Sequence, residues 1–179
     1  MVTTNQSANR NTVSTKTLCV TALFLALNIV LSSFGLPVPG GRLYLNDIVI
    51  CTAAILLENY WCSFAVAGIG SFLGDLFFYP TPMFVSLVTH GLQGIVISYC
   101  TYKMFNKRCF KGALIGVLIG AVIMVVGYSL GRAFIYSTPH YAYIKLPYQI
   151  LQASVGAFFG IMLTFKAGLL DGFDKIFNK

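Results

Sequence analysis

GALIGVLIGAVIMVVGYSLGRAFI, residues 112 to 135, decides the fold class of this chain. Apolar side chains cover every face of a helix drawn through it until Tyr128 and Arg132, and it exceeds the roughly 20 residues needed to cross a bilayer core. A barrel strand would be about half as long and would alternate between apolar and polar. Only helices and closed barrels satisfy their backbone groups in lipid, so this stretch predicts a membrane-spanning helix. The whole chain agrees. Of its 179 residues 57% are hydrophobic and 9% charged, against about 25% charged in ordinary soluble domains. An all-α integral membrane protein is the expected fold class.

Outward from that stretch, five more apolar segments give six expected transmembrane helices. The first runs from Leu18 to Phe34. GLPVPGGRLYLND, residues 35 to 47, follows it, and its prolines and glycines forbid a helix. Asn46 and Asp47 can cap a second segment reaching about Leu57, which is short for a span. A third covers Cys62 to Tyr79 and stops at Pro80-Thr81-Pro82. A fourth starts after Pro82, a favourable first-turn position, and ends near Tyr102. The fifth is the opening stretch, and the sixth runs from Leu146 to Phe165. Residues 1–13 and 171–179 are expected to be polar tails flanking one membrane domain, 14–170. Met1 to Thr12 lack the apolar core of a signal peptide.

Six spans put both termini on one side, and the cations sort accordingly. Arg10, Lys16, Lys103, Lys107, Arg108, Lys111, Lys166, Lys175 and Lys179 share that side, leaving Arg42, Arg132 and Lys145 for the other. The positive-inside rule makes the first side cytoplasmic, so a multi-pass plasma-membrane protein with both termini inside is expected. The net charge of +7 then follows from topology and gives no reason to invoke nucleic acid.

Three segments carry a polar pair near the outer surface: His90 with Gln93, Tyr128 with Arg132, and Gln149 with Gln152. Residues three or four apart share one helix face. Polar groups in hydrocarbon are costly unless they face a bundle interior or a wet cavity. Together with Arg42 and Asn46 in and after the first loop, the pairs predict an extracellular pocket for a small polar molecule. Each residue also has a structural alternative. His90 and Gln93 can bond neighbouring helices, Arg132 can clamp an anion or pair with Asp75 or Asp47, and the PVPGG loop is either a lid or a plain connection. Tyr128 can stack on a flat ring.

Catalysis finds little support. With five carboxylates, only His90 and His140, and no nucleophile motif, a membrane-embedded enzyme stays a distant alternative. Cys19, Cys51, Cys62, Cys100 and Cys109 form neither CxxC pairs nor metal-ligand spacings, so no metal, cofactor or disulfide is expected. A stand-alone secondary transporter would carry internal repeats, and none is visible. The chain has no GxxxxGK[ST] motif, so any ATP-driven role needs partners.

TALFLAL (21–27), PVPGGRLYLND (37–47), GSFLGDLFFYP (70–80), HGLQG (90–94), MVVGY (124–128) and PYQILQASVGA (147–157) follow one another in an order that resembles a known family. The chain looks like the substrate-binding S component of energy-coupling factor (ECF) vitamin transporters, in the branch of hydroxymethylpyrimidine- and riboflavin-type S components. The resemblance implies a six-helix protein of the bacterial cell membrane that captures a small water-soluble vitamin or precursor outside. A hydroxymethylpyrimidine- or pyridoxine-like ring is favoured, with pantothenate as the alternative because of Arg42 and Arg132. It further implies docking, through Ala22 and Ala26, onto a transmembrane coupling protein and two ATPase subunits. Small residues at i and i+4 permit such close helix approach.

Overall fold

A computed structural model describes residues 13–105 and 108–177. Five helices in it are long and apolar enough to cross a membrane: α1 (Thr15–Ser32), α3 (Tyr60–Phe78), α4 (Met83–Tyr102), α5 (Phe110–Tyr136) and α6 (Pro139–Phe165). A hairpin of β1 (Leu36–Val38) and β2 (Gly41–Leu43) lies between α1 and the short α2 (Asn46–Leu56). A final helix, α7 (Leu169–Phe177), occupies much of the stretch expected to be a tail.

Helix α2 is the short segment that the sequence marks. Its 11 residues rise about 16 Å, roughly half a hydrocarbon core. Every residue of α2 except Ile48 is buried, so it forms the centre of the bundle and has almost no surface to offer to lipid. Its start meets α6 below the hairpin, where Gln152 accepts from Tyr44 N at 3.1 Å. Its last carbonyl, Leu56 O, accepts from the Tyr102 hydroxyl at 2.7 Å at the opposite end. The chain thus passes six times between its two ends, once by this short central rod.

Glycines set how closely the helices approach. On α5, Gly112, Gly116 and Gly120 recur every fourth residue against α4; a Cβ on Gly112 would lie 2.7 Å from Cys100 O and one on Gly116 3.0 Å from Ile97 O. This is the small-residue packing that lets membrane helices touch backbone to backbone. The far face of α5 exposes Leu114, Leu118, Val122, Val126 and Leu130, a strip suited to lipid. Gly156 and Gly160 on α6 do the same for α2, where an added Cβ would come within 2.5 Å of the Asp47 and Cys51 Cβ atoms. Between these contacts Cys51, Ala54, Ile55, Ile97, Ala113 and Val117 make the apolar core.

Two helices contain a wider π turn, Ala65–Ile69 in α3 and Arg132–Tyr136 at the end of α5. Such a turn leaves a backbone carbonyl open to another donor. In α3, Asn28 of α1 donates to Val66 O at 2.7 Å and to Ser71 Oγ at 3.2 Å.

Two sequence expectations change. Helix α6 begins at Pro139, not Leu146, because Pro139 sits at its first turn after Thr138, where its missing N–H costs nothing. Pro147 then lies inside the helix. Asn46 and Asp47 do not cap α2: its N-cap is Leu45, with no side-chain bond, since both polar side chains turn into the protein. Of the nine cations expected on one side, Arg10, Lys107 and Lys179 lie outside the described residues. Lys16, Lys103, Arg108, Lys111, Lys166 and Lys175 sit on the end away from the hairpin, at the first turn of α1, the α4–α5 connection, the close of α6 and α7.

Candidate functional site

Asp47 is the hub of the buried polar groups, at 1% exposure. Gln93 Nε2 on α4 donates to its Oδ1 at 3.1 Å, and Gln152 Nε2 on α6 donates to its Oδ2 at 2.6 Å. Because the Gln93 amide nitrogen is committed to Asp47, its Oε1 must accept from His90 Nδ1, 2.7 Å away. This orders a chain of bonds from α2 through Gln93 to the imidazole. His90 stands beside the Tyr128 ring, with centroids 5.2 Å apart. The Tyr128 hydroxyl meets Ser86 Oγ, which donates in turn to Asp75. Five helices are thereby tied together by side chains that a lipid-facing surface could not accommodate.

Above this network is a cavity of about 30 Å³, lined by Arg42, Tyr44, Asp75, Tyr79, Tyr128, Arg132, Lys145, Gln149 and Gln152, with Pro82 and Met124. That is room for a water molecule and not for a heterocycle. A second cleft, about 250 Å³, opens beside the hairpin between Gly40, Gly41, Tyr79, Thr81, Arg132, Tyr136, Ser137 and Tyr141. Arg132 and Tyr79 line both spaces and form the wall between them.

The hairpin closes the inner cavity through three side chains that hold its backbone. Arg132 donates to Gly40 O, Lys145 Nζ to Arg42 O at 2.5 Å, and Gln152 Oε1 accepts from Tyr44 N. The turn itself needs glycine: Gly40 has φ +80° and Gly41 φ +150°, and a Cβ on Gly41 would sit 2.9 Å from Arg132 Nη1.

Several buried polar atoms at the site lack a partner among the described residues: Tyr44 OH, Arg132 Nε, Tyr136 OH and Gln149 Oε1. Native interiors leave few such atoms, each a candidate for a ligand contact. Burial, with Asp75 adding to it, pushes the Tyr44 phenol above its ordinary range, so its hydroxyl remains a donor.

The sequence-predicted residues divide into three groups. His90, Gln93 and Gln152 join at Asp47. Tyr128, Arg132, Gln149 and Arg42 line the cavity, with Arg42 also over the Tyr79 ring at 5.5 Å. Asn46 does neither: it turns toward α1, where its Nδ2 reaches Ser32 Oγ at 3.4 Å, because the pocket side of α2 is taken by Asp47. Arg132 pairs with neither Asp75 nor Asp47 and lies over Tyr136 at 5.3 Å. Ala22 and Ala26 are exposed on α1, away from the cavity. Sequence reasoning missed Asp47, Tyr44 and Lys145 as site residues. Lys145 has a detectable signal, since residues 145, 149 and 152 share one face of α6. Asp47 has none beyond standing at a helix start, where acids are common.

At the end away from the hairpin a larger groove, about 1060 Å³, runs between Ser14, Thr17, Glu58, Trp61, Tyr102, Arg108 and Phe173. Arg108 there pairs with Asp174. Among the described residues no cluster of unpartnered polar atoms converges on it comparable to that at the hairpin.

The family model described as "ECF-type riboflavin transporter, S component" matches residues 12–168. A protein of Lactococcus lactis subsp. cremoris (strain MG1363) named "Thiamine precursor transporter HmpT" is 31% identical over 168 residues, covering 89% of this chain and 94% of that protein. A Pyrococcus woesei protein described as an uncharacterized protein in a gap 3′ region is also 31% identical, over 127 residues covering 70% and 82%. Matched across the hairpin, the Asp47 network and the cavity alike, the chain belongs to the family of ECF-type riboflavin transporter S components.

Proposed function

We propose that the protein captures a small water-soluble vitamin or vitamin precursor at the hairpin end and delivers it to an ATP-driven ECF module. The observation that carries this reading is the convergence of unpartnered polar atoms on an enclosed cavity capped by the hairpin. A catalytic site would need a positioned nucleophile or acid–base pair, and Asp75 is instead bonded to Ser86. Aromatic rings at Tyr44, Tyr79 and Tyr128 suit a flat heterocycle such as a hydroxymethylpyrimidine- or pyridoxine-like ring, and the name of the Lactococcus relative points the same way.

In this reading the six passes cross the plasma membrane with the hairpin outside and both termini inside. The grouping of Lys16, Lys103, Arg108, Lys111, Lys166 and Lys175 away from the hairpin supports that orientation. The hairpin acts as a lid, since a cavity of about 30 Å³ admits a heterocycle only when the loop lifts. Ala22 and Ala26 offer the coupling protein a flat surface on α1, and two ATPase subunits supply the energy.

Reconstitution tests the reading directly. Proteoliposomes carrying the chain with a coupling protein and its two ATPases should accumulate labelled hydroxymethylpyrimidine or pyridoxine only with ATP inside the ATPase-facing compartment. Equal uptake by the chain alone would overturn the coupled mechanism.

A further inference from the structure

The cavity is lined by three cations and one carboxylate, and the cations lack counterions. Arg132 is 6% and Lys145 2% exposed. The bonds that hold them go to neutral backbone carbonyls, Gly40 O and Arg42 O. Arg42 lies over the Tyr79 ring, and its own carbonyl is the one that Lys145 holds. Among the described residues the ion pairs are His90 with Asp47 and Arg108 with Asp174, so none of the three cavity cations has a carboxylate in reach. Asp75 is bonded to Ser86, and Asp47 sits behind the Gln93 and Gln152 amides. A carbonyl dipole satisfies a donor but does not neutralise a buried charge. Two buried cations side by side, one with an unpartnered Nε, make a site for a negative group. Arg132 also fronts the outer cleft of about 250 Å³, so an anion arriving there meets it first.

We infer that the captured substrate carries an anionic group, a phosphate ester or a carboxylate, bound between Arg132 and Lys145. This rests on the capture reading above. The anion takes over donors that now hold the hairpin carbonyls, with the ring lying deeper toward Tyr128 and Gln149. Arg132 contributes a fork that matches two oxygens, and Lys145 a single ammonium.

Matched ligand pairs test this by titration calorimetry on the purified full chain. Pyridoxine is compared with pyridoxine 5′-phosphate, hydroxymethylpyrimidine with its monophosphate, and panthenol with pantothenate. In at least one pair the anion should bind about 10- to 100-fold more tightly than its neutral partner, the worth of a charge-assisted bond. Which pair responds tells phosphate from carboxylate. Arg132→Gln and Lys145→Met should each erase most of that preference, and Arg132→Lys should keep part of it. Ligand-free Lys145→Met should melt no lower than the parent, since an uncompensated buried charge is removed. Tight binding of a neutral compound with no gain for its anion would overturn the inference and leave the capture reading standing. An anion preference that survives both neutral variants would overturn it too. No binding by any of the six compounds would take down both.

Discussion

Gln152 Nε2 and Asp47 Oδ2 meet at 2.6 Å, joining residues 105 positions apart in the chain. The same carboxylate receives Gln93 from α4, so one side chain on the central rod orients amides from two flanking helices. Gln152 also holds the Tyr44 backbone N–H. The end of the hairpin segment, the rod and α6 therefore share one buried hydrogen-bonded unit. Deleting Asp47 strands two amide donors at about 1–3 kcal/mol each. Asp47→Ala should lower stability by roughly 2–5 kcal/mol, read as a clear fall in melting temperature in detergent, and Asp47→Asn, which keeps one acceptor, should cost less. Unchanged melting in Asp47→Ala would mean the network contributes nothing to the fold.

Tyr44 gives effects of opposite sign on stability and binding. Its buried hydroxyl has no partner among the described residues, so Tyr44→Phe removes an unsatisfied group and should stabilise the ligand-free protein by about 1 kcal/mol. Substrate affinity should fall by about 5- to 10-fold when that donor is lost. Thermal denaturation with and without ligand reads both effects. A loss of ligand-free stability would show that the hydroxyl serves the fold alone.

The approach of α6 to α2 depends on residue size. Gly160→Leu would drive a side chain into Cys51 and the α2 backbone and should abolish a monodisperse peak in size-exclusion chromatography. Gly172→Ala, on α7 with nothing within 4 Å, serves as the silent control. Normal behaviour of Gly160→Leu would contradict the placement of α2 at the bundle centre.

Docking and capture should separate. Ala22→Leu with Ala26→Leu alters only the exposed surface of α1, so ligand affinity should stay within about 2-fold, the small change usual for substitutions away from a site. Copurification with the coupling protein should be lost. Retained copurification would move the docking surface elsewhere on the molecule.

Long apolar runs made the helices legible, because hydrocarbon imposes one solution on the backbone. The three polar pairs were legible for the same reason, and all but His90 and Gln93 line the cavity directly. The weak second segment was also visible as weak. Its central position was not, since a helix shielded from lipid by neighbours need not match the bilayer, and that shielding depends on Gly156 and Gly160 far along the chain. The start of helix α6 is hidden in the sequence because Pro139 and Pro147 suggest a loop, whereas one opens the helix and the other is absorbed within it. Asp47 looks like a cap in sequence because local spacing cannot reveal partners at residues 93 and 152.

The central claim, capture of a vitamin-class molecule in the hairpin-capped cavity, is tested most directly by native mass spectrometry. The intact chain would be released from detergent micelles after incubation with hydroxymethylpyrimidine, pyridoxine, pyridoxal, thiamine, riboflavin and pantothenate, together with the phosphate esters of the first two. The account predicts one stoichiometric adduct, lost when Gln149→Leu fills the cavity wall and retained when Ala22→Leu alters the outer face of α1. An adduct that survives Gln149→Leu, or the absence of any adduct across the panel, would contradict it.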